Sequence, residues 1–245
     1  MIERDQPTHF QVDILVRVSS KSDGTVLDKA AGVHHPTVVA NRIAFCDLCA
    51  VDYDDVVYQR ILYDKVQAYD KIVRVDARHV CRYAEEVHAD ALITQTSGVG
   101  LLLLVADCVA TVLYDSATKQ LALVHLGRHS TIANLMQKTL REMIAGGANA
   151  RDIVVWMAPS VKAAHYVMEY FDYIDDPAWR PYARREADGI HIDLQGYNRA
   201  IAIEIGVDPE NIDVSPVDTA ASDDYFSHSN GDTSGRFAVL AMIRS

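Results

Sequence analysis

Apolar positions along the chain recur with two periods. Residues 10–19, "FQVDILVRVS", alternate apolar and polar as a half-buried strand does, and "SSKSDGTV" supplies turn chemistry after them. In "VVANRIAFCDLCA" the spacing changes: Val39, Ile43, Cys46 and Cys49/Ala50 fall three to four apart, which predicts a helix from about Val38. "VVYQRILYDKVQ" and "KIVRVD" read as two further strands. Residues 91–156 are the most regular block, with strands in "ALITQTSG", "VGLLLLVADCVATVLYD", "KQLALVHLG" and "DIVVWMAP". Between the last two lies "STIANLMQKTLREMIAGG". It reads as a single helix with Ser130 at its N-cap, Ile132, Leu135, Met136, Leu140 and Met143 on one face, and a Gly-Gly stop. Further on, "YVMEYFDYI" reads as helical and "WRPYARREADG" as a charged loop. "DLQGYNRAIAIEIG" is a second strong helix closed by Gly206, "VDPENIDV" a turn and strand, and the chain runs into a last apolar strand within "GRFAVLAMIR".

Composition narrows the function classes. With 245 residues, 49% of them hydrophobic, the chain can build a real core, and no linker, repeat or composition break divides residues 1–245 into more than one domain. A formal charge of −11 opposes a nucleic-acid surface, since neutralising phosphates takes a clustered basic stripe; an anionic ligand would have to be held locally. The longest strongly apolar run, residues 99–106, is far short of the roughly 20 residues a membrane helix needs. The charged start "MIERDQPTHF" has no export-signal pattern, so a cytoplasmic protein is expected. Four cysteines, Cys46, Cys49, Cys81 and Cys108, then read as reduced thiols. The Cys46–Cys49 pair lacks the second pair of a zinc ribbon, and burial on one helix face accounts for it.

The candidate chemistry lies in "LVADCVATVLYDSATKQLALVHLGRHS", residues 104–130. Here Cys108 sits within one apolar run and His125 near the end of the next, the two joined by a short hairpin connection. A two-residue loop at Ser116-Ala117 makes partner numbers sum to 233 and sets the two residues opposite each other with Cβ atoms about 5 Å apart. A four-residue loop raises the sum to 235 and makes them diagonal neighbours on the same face, whereas a three-residue loop or a bulge breaks the parity. A thiol beside an imidazole can be a nucleophile with its base, a pair of zinc ligands, or core packing. "GRHS" follows, leading into a helix start where Arg128 and the region of Ser130 could hold a phosphate or carboxylate.

Taken in order, "ANRIAF", "DKVQAYDKIVRVD", "ADALIT", "VADC", "LALVHLG", "WMAPSV", "HYV", "DLQGYNRAIAIEIGV" and "FSHSNGDTSGRFAVL" resemble the laccase-domain, polyphenol-oxidase-like family, whose members are described as zinc-dependent purine nucleoside phosphorylases. The resemblance covers roughly residues 38–245. It implies an α/β (α+β) domain with a mixed or largely antiparallel sheet between helices, similar to the cytotoxic-necrotizing-factor-like cysteine hydrolase fold. It also implies phosphorolysis of adenosine, inosine or guanosine-type nucleosides, with adenosine deamination alongside, in a small-molecule site that takes nucleoside and phosphate rather than nucleic acid or membrane. By resemblance, zinc is held by Cys108, His125 and a third group at the position of Gln67, a poor zinc ligand. The nearby His79, Cys81, His88 and His129 are substitutes to be weighed. Cys108, His125 and Arg236 are the catalytic candidates, with Arg128, Ser130, Tyr166, Asp218 and His228 around the substrate. A multicopper oxidase centre fits poorly, because blue and trinuclear copper need paired histidine motifs that this chain does not show. Two other chemistries follow if the third ligand is lost: a metal-free Cys–His hydrolase or deamidase, and a non-catalytic binding homologue.

Overall fold

The computed structural model describes residues 1–10, 12–63 and 68–244; Gln67 lies outside the described residues. In chain order the strands are β1 (Ile14–Val18), β2 (Val56–Arg60), β3 (Ile72–Arg74), β4 (Val87–His88), β5 (Ala91–Thr94), β6 (Gly100–Val105), β7 (Val109–Asp115), β8 (Gln120–Leu126), β9 (Val154–Met157), β10 (Val167–Met168), β11 (Ala183–Glu186), β12 (Gly189–Ile192), β13 (Ile212–Val214) and β14 (Phe237–Ile243). The helices are α1 (Pro36–Leu48), α2 (Arg128–Ile132), α3 (Leu135–Ala145) and α4 (Leu194–Ile205).

Two mixed sheets form the body, in the orders β1-β14-β6-β2-β4 and β13-β9-β7-β8-β5-β3. Period-2 alternation sorts their side chains into three cores. Leu101, Leu103, Val239 and Val57 of the first sheet face Val112, Leu123 and Trp156 of the second, filling the space between the sheets. The outer face of the second sheet, with Leu113, Ala122 and Val155, is covered by Leu135, Leu140 and Met143 of α3 and by α4. The outer face of the first sheet, with Leu102, Leu104 and Leu240, is covered by Phe45 and Cys46 of α1. The mixed sheet expected between helices is therefore present as two sheets packed face to face.

Four local readings are corrected. "VGLLLLVADCVATVLYD" is not one strand: β6 ends at Val105 in the first sheet and β7 begins at Val109 in the second, so residues 106–108 carry the chain across the sandwich. The helix expected from Ser130 onward is two, because Asn134 takes a left-handed conformation (φ 58°) between α2 and α3. Gly127 caps α2, and Ser130 lies inside it. "YVMEYFDYI" forms only the short β10 and then turns; its aromatics pack sideways, Phe171 against Trp179 at 4.9 Å between ring centroids, rather than along a helix face. The loop read in "WRPYARREADG" contains β11, which pairs with β12 in a small antiparallel sheet.

The expected burial of the Cys46–Cys49 pair is as found. Cys46 is fully buried in α1, Cys49 caps its end, and burial pushes the Cys49 thiol up to about 11, which suits packing rather than redox exchange. All four cysteines are free. Among the described residues no helix is long and apolar enough to cross a membrane.

Candidate active site

The β7–β8 register settles the hairpin parity. Asp115 pairs with Gln120 and Ala110 with His125, a sum of 235, so the loop is the four-residue case. His125 shares the parity of Leu121 and Leu123 and faces the space between the sheets, 3% exposed. Cys108 is not in the middle of a strand but at the sheet crossover just before β7, on the same side. The two side chains converge over Gly127. A Cβ placed there would lie 3.0 Å from the Cys108 Sγ and 3.3 Å and 3.6 Å from Cε1 and Nε2 of His125, so a glycine is what leaves room for both.

A residue that sequence reasoning passed over holds this crossover in place. Asp107 lies in the left-handed region (φ 78°), which Asp tolerates better than most residues. Its buried carboxylate accepts from Thr219 Oγ1 at 2.7 Å and from the Ser229 amide at 2.6 Å, while its carbonyl accepts from the Val161 amide at 3.1 Å. Three segments distant in sequence are thereby tied to the turn that presents Cys108. The quoted "VADC" contained the signal: an acid inside an otherwise apolar run has to be satisfied by something.

The pair opens on a cavity of about 300 Å³, near the small end of ligand pockets. Of the expected site residues, Cys108, His125, Arg128, Ser130, Tyr166, His228 and Arg236 line it. Ser130 lines it with its hydroxyl already engaged, accepting from the Gly127 amide at 2.9 Å and donating to the His125 carbonyl at 2.7 Å, so it braces the loop below His125. Asp218 does not line the cavity. Its carboxylate holds His165 Nδ1 at 2.7 Å and accepts from the Lys162 amide at 3.2 Å, behind the Thr219–Asp107 link.

Two lining residues, Lys29 and Tyr63, had no motif to announce them, and two more, Tyr69 of "DKVQAYDKIVRVD" and His129 of "GRHS", were not expected as lining. Tyr63 places its hydroxyl 3.4 Å from His125 Nε2 and its ring edge-on to the imidazole. Lys29 Nζ stands 5.5 Å from the Tyr63 ring centroid, and His129 stacks on Tyr69 at 4.8 Å. Lys29 and Tyr63 arrive from loops whose sequences show only polarity, and His129 from α2. The result is a concentration of positive charge, Lys29, Arg128 and Arg236, among tyrosines in a chain of charge −11.

Burial controls the protonation of the pair. It pushes the Cys108 thiol up to about 11, Asp107 adding to the rise and Arg236 and Lys29 opposing it. It drives His125 down to about 4, and Arg236 adds to the fall. At neutral pH the pair is a thiol and a neutral imidazole whose Nδ1 is buried without a hydrogen-bond partner. That orphaned nitrogen and the space over Gly127 suit two ligands of a zinc ion, but a catalytic zinc takes three protein ligands. Among the described residues no third His, Cys, Asp or Glu joins Cys108 and His125. Three of the substitutes are elsewhere, His79 binding Asp76 at 3.0 Å, His88 binding Glu86 at 2.7 Å and Cys81 packing beside α1, while His129 lines the cavity but is stacked on Tyr69 and forms no ligand group with the pair. The described donors thus fall short of a zinc site there. A separate group compatible with a metal, Glu186, Asp188 and His191, lies on the β11–β12 hairpin with ligand atoms within 4.8 Å of one another.

The chain is similar to several known proteins. A family model described as multi-copper polyphenol oxidoreductase laccase matches residues 22–244. A purine nucleoside phosphorylase of Corynebacterium glutamicum is 29% identical over 208 residues, covering 84% of this chain and 81% of that protein. A protein named adenosine deaminase, from an unknown prokaryotic organism, is 29% identical over 186 residues, 71% of this chain and 69% of its own. The crystal structure of the hypothetical protein YfiH of Bacillus licheniformis superposes with a TM-score of 0.80 at 20% identity, over 94% of this chain and 93% of that one, which speaks to the fold.

Proposed function

From the premise that the chain belongs to the multi-copper polyphenol oxidoreductase laccase family, we propose that it is a purine nucleoside phosphorylase-like enzyme. The observation that carries this reading is one cavity in which Cys108 and His125 meet Lys29, Arg128 and Arg236 between tyrosine walls. Inorganic phosphate suits the cations, which hold it by charge-assisted hydrogen bonds and keep its nucleophilic oxygen oriented. A purine suits Tyr69 and Tyr166, whose rings offer flat apolar faces. In phosphorolysis a phosphate oxygen bonds to C1′ of the ribose as the C1′–N bond breaks. The electron pair of that bond leaves on the base, which takes up a proton. His228, exposed at the cavity wall, is placed to pass that proton from solvent, and the guanidinium of Arg236 offsets the charge of the incoming phosphate. Deamination of adenosine in the same cavity is the companion reaction, given the name borne by one relative.

The protonation of the pair favours this reading over a metal-free cysteine hydrolase. A thiol raised to about 11 beside an imidazole lowered to about 4 does not form the thiolate–imidazolium couple such an enzyme uses. The test is a base-release assay with adenosine, inosine and guanosine, with and without phosphate, run beside metal analysis of the purified protein. Phosphate-dependent release of free base that falls at least about a hundredfold in Arg236→Gln is the expected result. Release independent of phosphate, or none from any nucleoside, overturns the assignment.

A further inference from the structure

The cavity holding Cys108 and His125 continues past Tyr63 into a second lobe of about 210 Å³. The two lobes share Lys29, Tyr63, Leu104 and Arg236 as their common wall. The second lobe is lined in part by β2, and there it carries an unusual set of unmet polar atoms. Tyr58 is 1% exposed, yet its hydroxyl has no hydrogen-bond partner. Gln59, between Tyr58 and Arg60 in sequence, turns its side chain to the opposite, inter-sheet face and donates its amide to the Ala89 carbonyl at 3.2 Å. Arg60 Nη1 is buried and lies 3.6 Å from Glu86 Oε2, too far for a hydrogen bond. Buried polar atoms without partners are rare, and each costs about 1–3 kcal/mol, so two on alternate residues of one strand, Tyr58 and Arg60 on its outer face, call for a ligand that satisfies them.

The charges around the lobe indicate what that ligand is. Lys29, Arg60 and Arg236 face it, against Asp28 and the nearby Glu86. Asp28 is already committed, its Oδ1 accepting from the Ala30 amide at 2.8 Å and the Ala31 amide at 3.1 Å. We propose that the second lobe is an anion subsite, and that the ligand spanning both lobes is a purine nucleoside 5′-phosphate. Its phosphoryl group accepts from Arg60, Lys29 and the Tyr58 hydroxyl. The base lies beside Cys108, a placement that rests on the nucleoside reading above; the phosphoryl subsite rests on the donors of the second lobe alone.

Calorimetric titration tests this directly, with adenosine, adenosine 5′-monophosphate and inorganic phosphate added separately to wild type, Arg60→Gln and Tyr58→Phe at low ionic strength. In wild type the nucleotide binds about tenfold or more tighter than adenosine, and 0.5 M salt erases most of the difference. Arg60→Gln brings the ratio to within about threefold and Tyr58→Phe lowers it by a smaller factor, while the affinity for adenosine is unchanged in both. Equal binding of adenosine and its monophosphate by wild type overturns the proposal without recourse to any variant. So does a preference that survives Arg60→Gln. Inorganic phosphate that binds as tightly as the nucleotide, in a manner lost in Arg60→Gln, overturns it in favour of a subsite for free phosphate. An Arg60-dependent preference in a protein that releases no base from any nucleoside sustains the subsite and removes the phosphorylase reading instead.

Discussion

Replacing Asp107 separates what its carboxylate does for the fold from what it does to Cys108. Asp107→Asn keeps a residue that tolerates the left-handed backbone (φ 78°) and can still engage Thr219. It takes away the second acceptor oxygen, which receives the Ser229 amide at 2.6 Å. A buried N–H left facing an amide group costs about 2 kcal/mol, a fall in melting temperature of about 4–8 °C for a chain of this size. Asp107→Ala loses the Thr219 bond as well and puts an ordinary side chain into the left-handed region, so about 4 kcal/mol is expected. Urea unfolding measures both.

The same carboxylate helps to hold the Cys108 thiol up at about 11, so neutralising it lowers that value. Iodoacetamide labelling in a Cys81→Ser background reads the effect, because Cys46 and Cys49 are buried. Looser packing and lost charge are distinguishable in the rate–pH profile. Easier access raises the plateau at high pH, whereas lost charge moves the midpoint to lower pH and speeds labelling several-fold at pH 9. A midpoint that stays put or rises in Asp107→Asn, or a stability change under about 0.5 kcal/mol, refutes the role assigned to this carboxylate.

Two further outcomes follow from the same geometry. His125 is held at about 4 in the folded protein against 6.5 when unfolded. Below pH 6.5 the unfolded chain therefore takes up a proton that the folded one refuses. Chelator-treated protein loses about 3 kcal/mol as pH falls from 6.5 to 4, none of it regained lower, and His125→Gln removes this part of the slope; an unchanged slope in that variant speaks against burial of a neutral imidazole. Gly127→Ala sets a methyl 3.0 Å from Cys108 Sγ, and with a backbone φ of −88° that any residue adopts, its cost is purely steric. About 1–2 kcal/mol is expected, together with base release reduced about tenfold or more; a fully active, equally stable variant contradicts the convergence of thiol and imidazole over this residue.

Legibility in the sequence tracked how local the governing physics was. Helices α1 and α4 and the β7–β8 hairpin declared themselves through side-chain period and termini: Gly206 closes α4 in the left-handed region, and Asp193 caps its start through the Gly196 amide at 2.8 Å. Even the parity of Cys108 and His125 could be argued from loop length alone. The crossover between the sheets could not, because no glycine or proline marks residues 106–108. What bends the chain there is Asp107, and its partners Thr219 and Ser229 lie more than a hundred residues away. The same distance hid the positive wall of the cavity. Lys29 and Tyr63 belong to loops whose composition says only that they are loops, and they acquire a role when the sheets bring them against His125 and Arg236. The resemblance supplied a set of roles, and physical placement then redistributed them: Ser130 braces a loop, Asp218 anchors His165, and an unannounced lysine, Lys29, and tyrosine, Tyr63, take the cavity wall. A motif therefore located the thiol and the imidazole in this chain, while the groups that would choose its ligand are set by long-range contacts. Substitutions that alter ligand preference should accordingly concentrate at Lys29, Arg60 and Tyr63, outside every motif of the family.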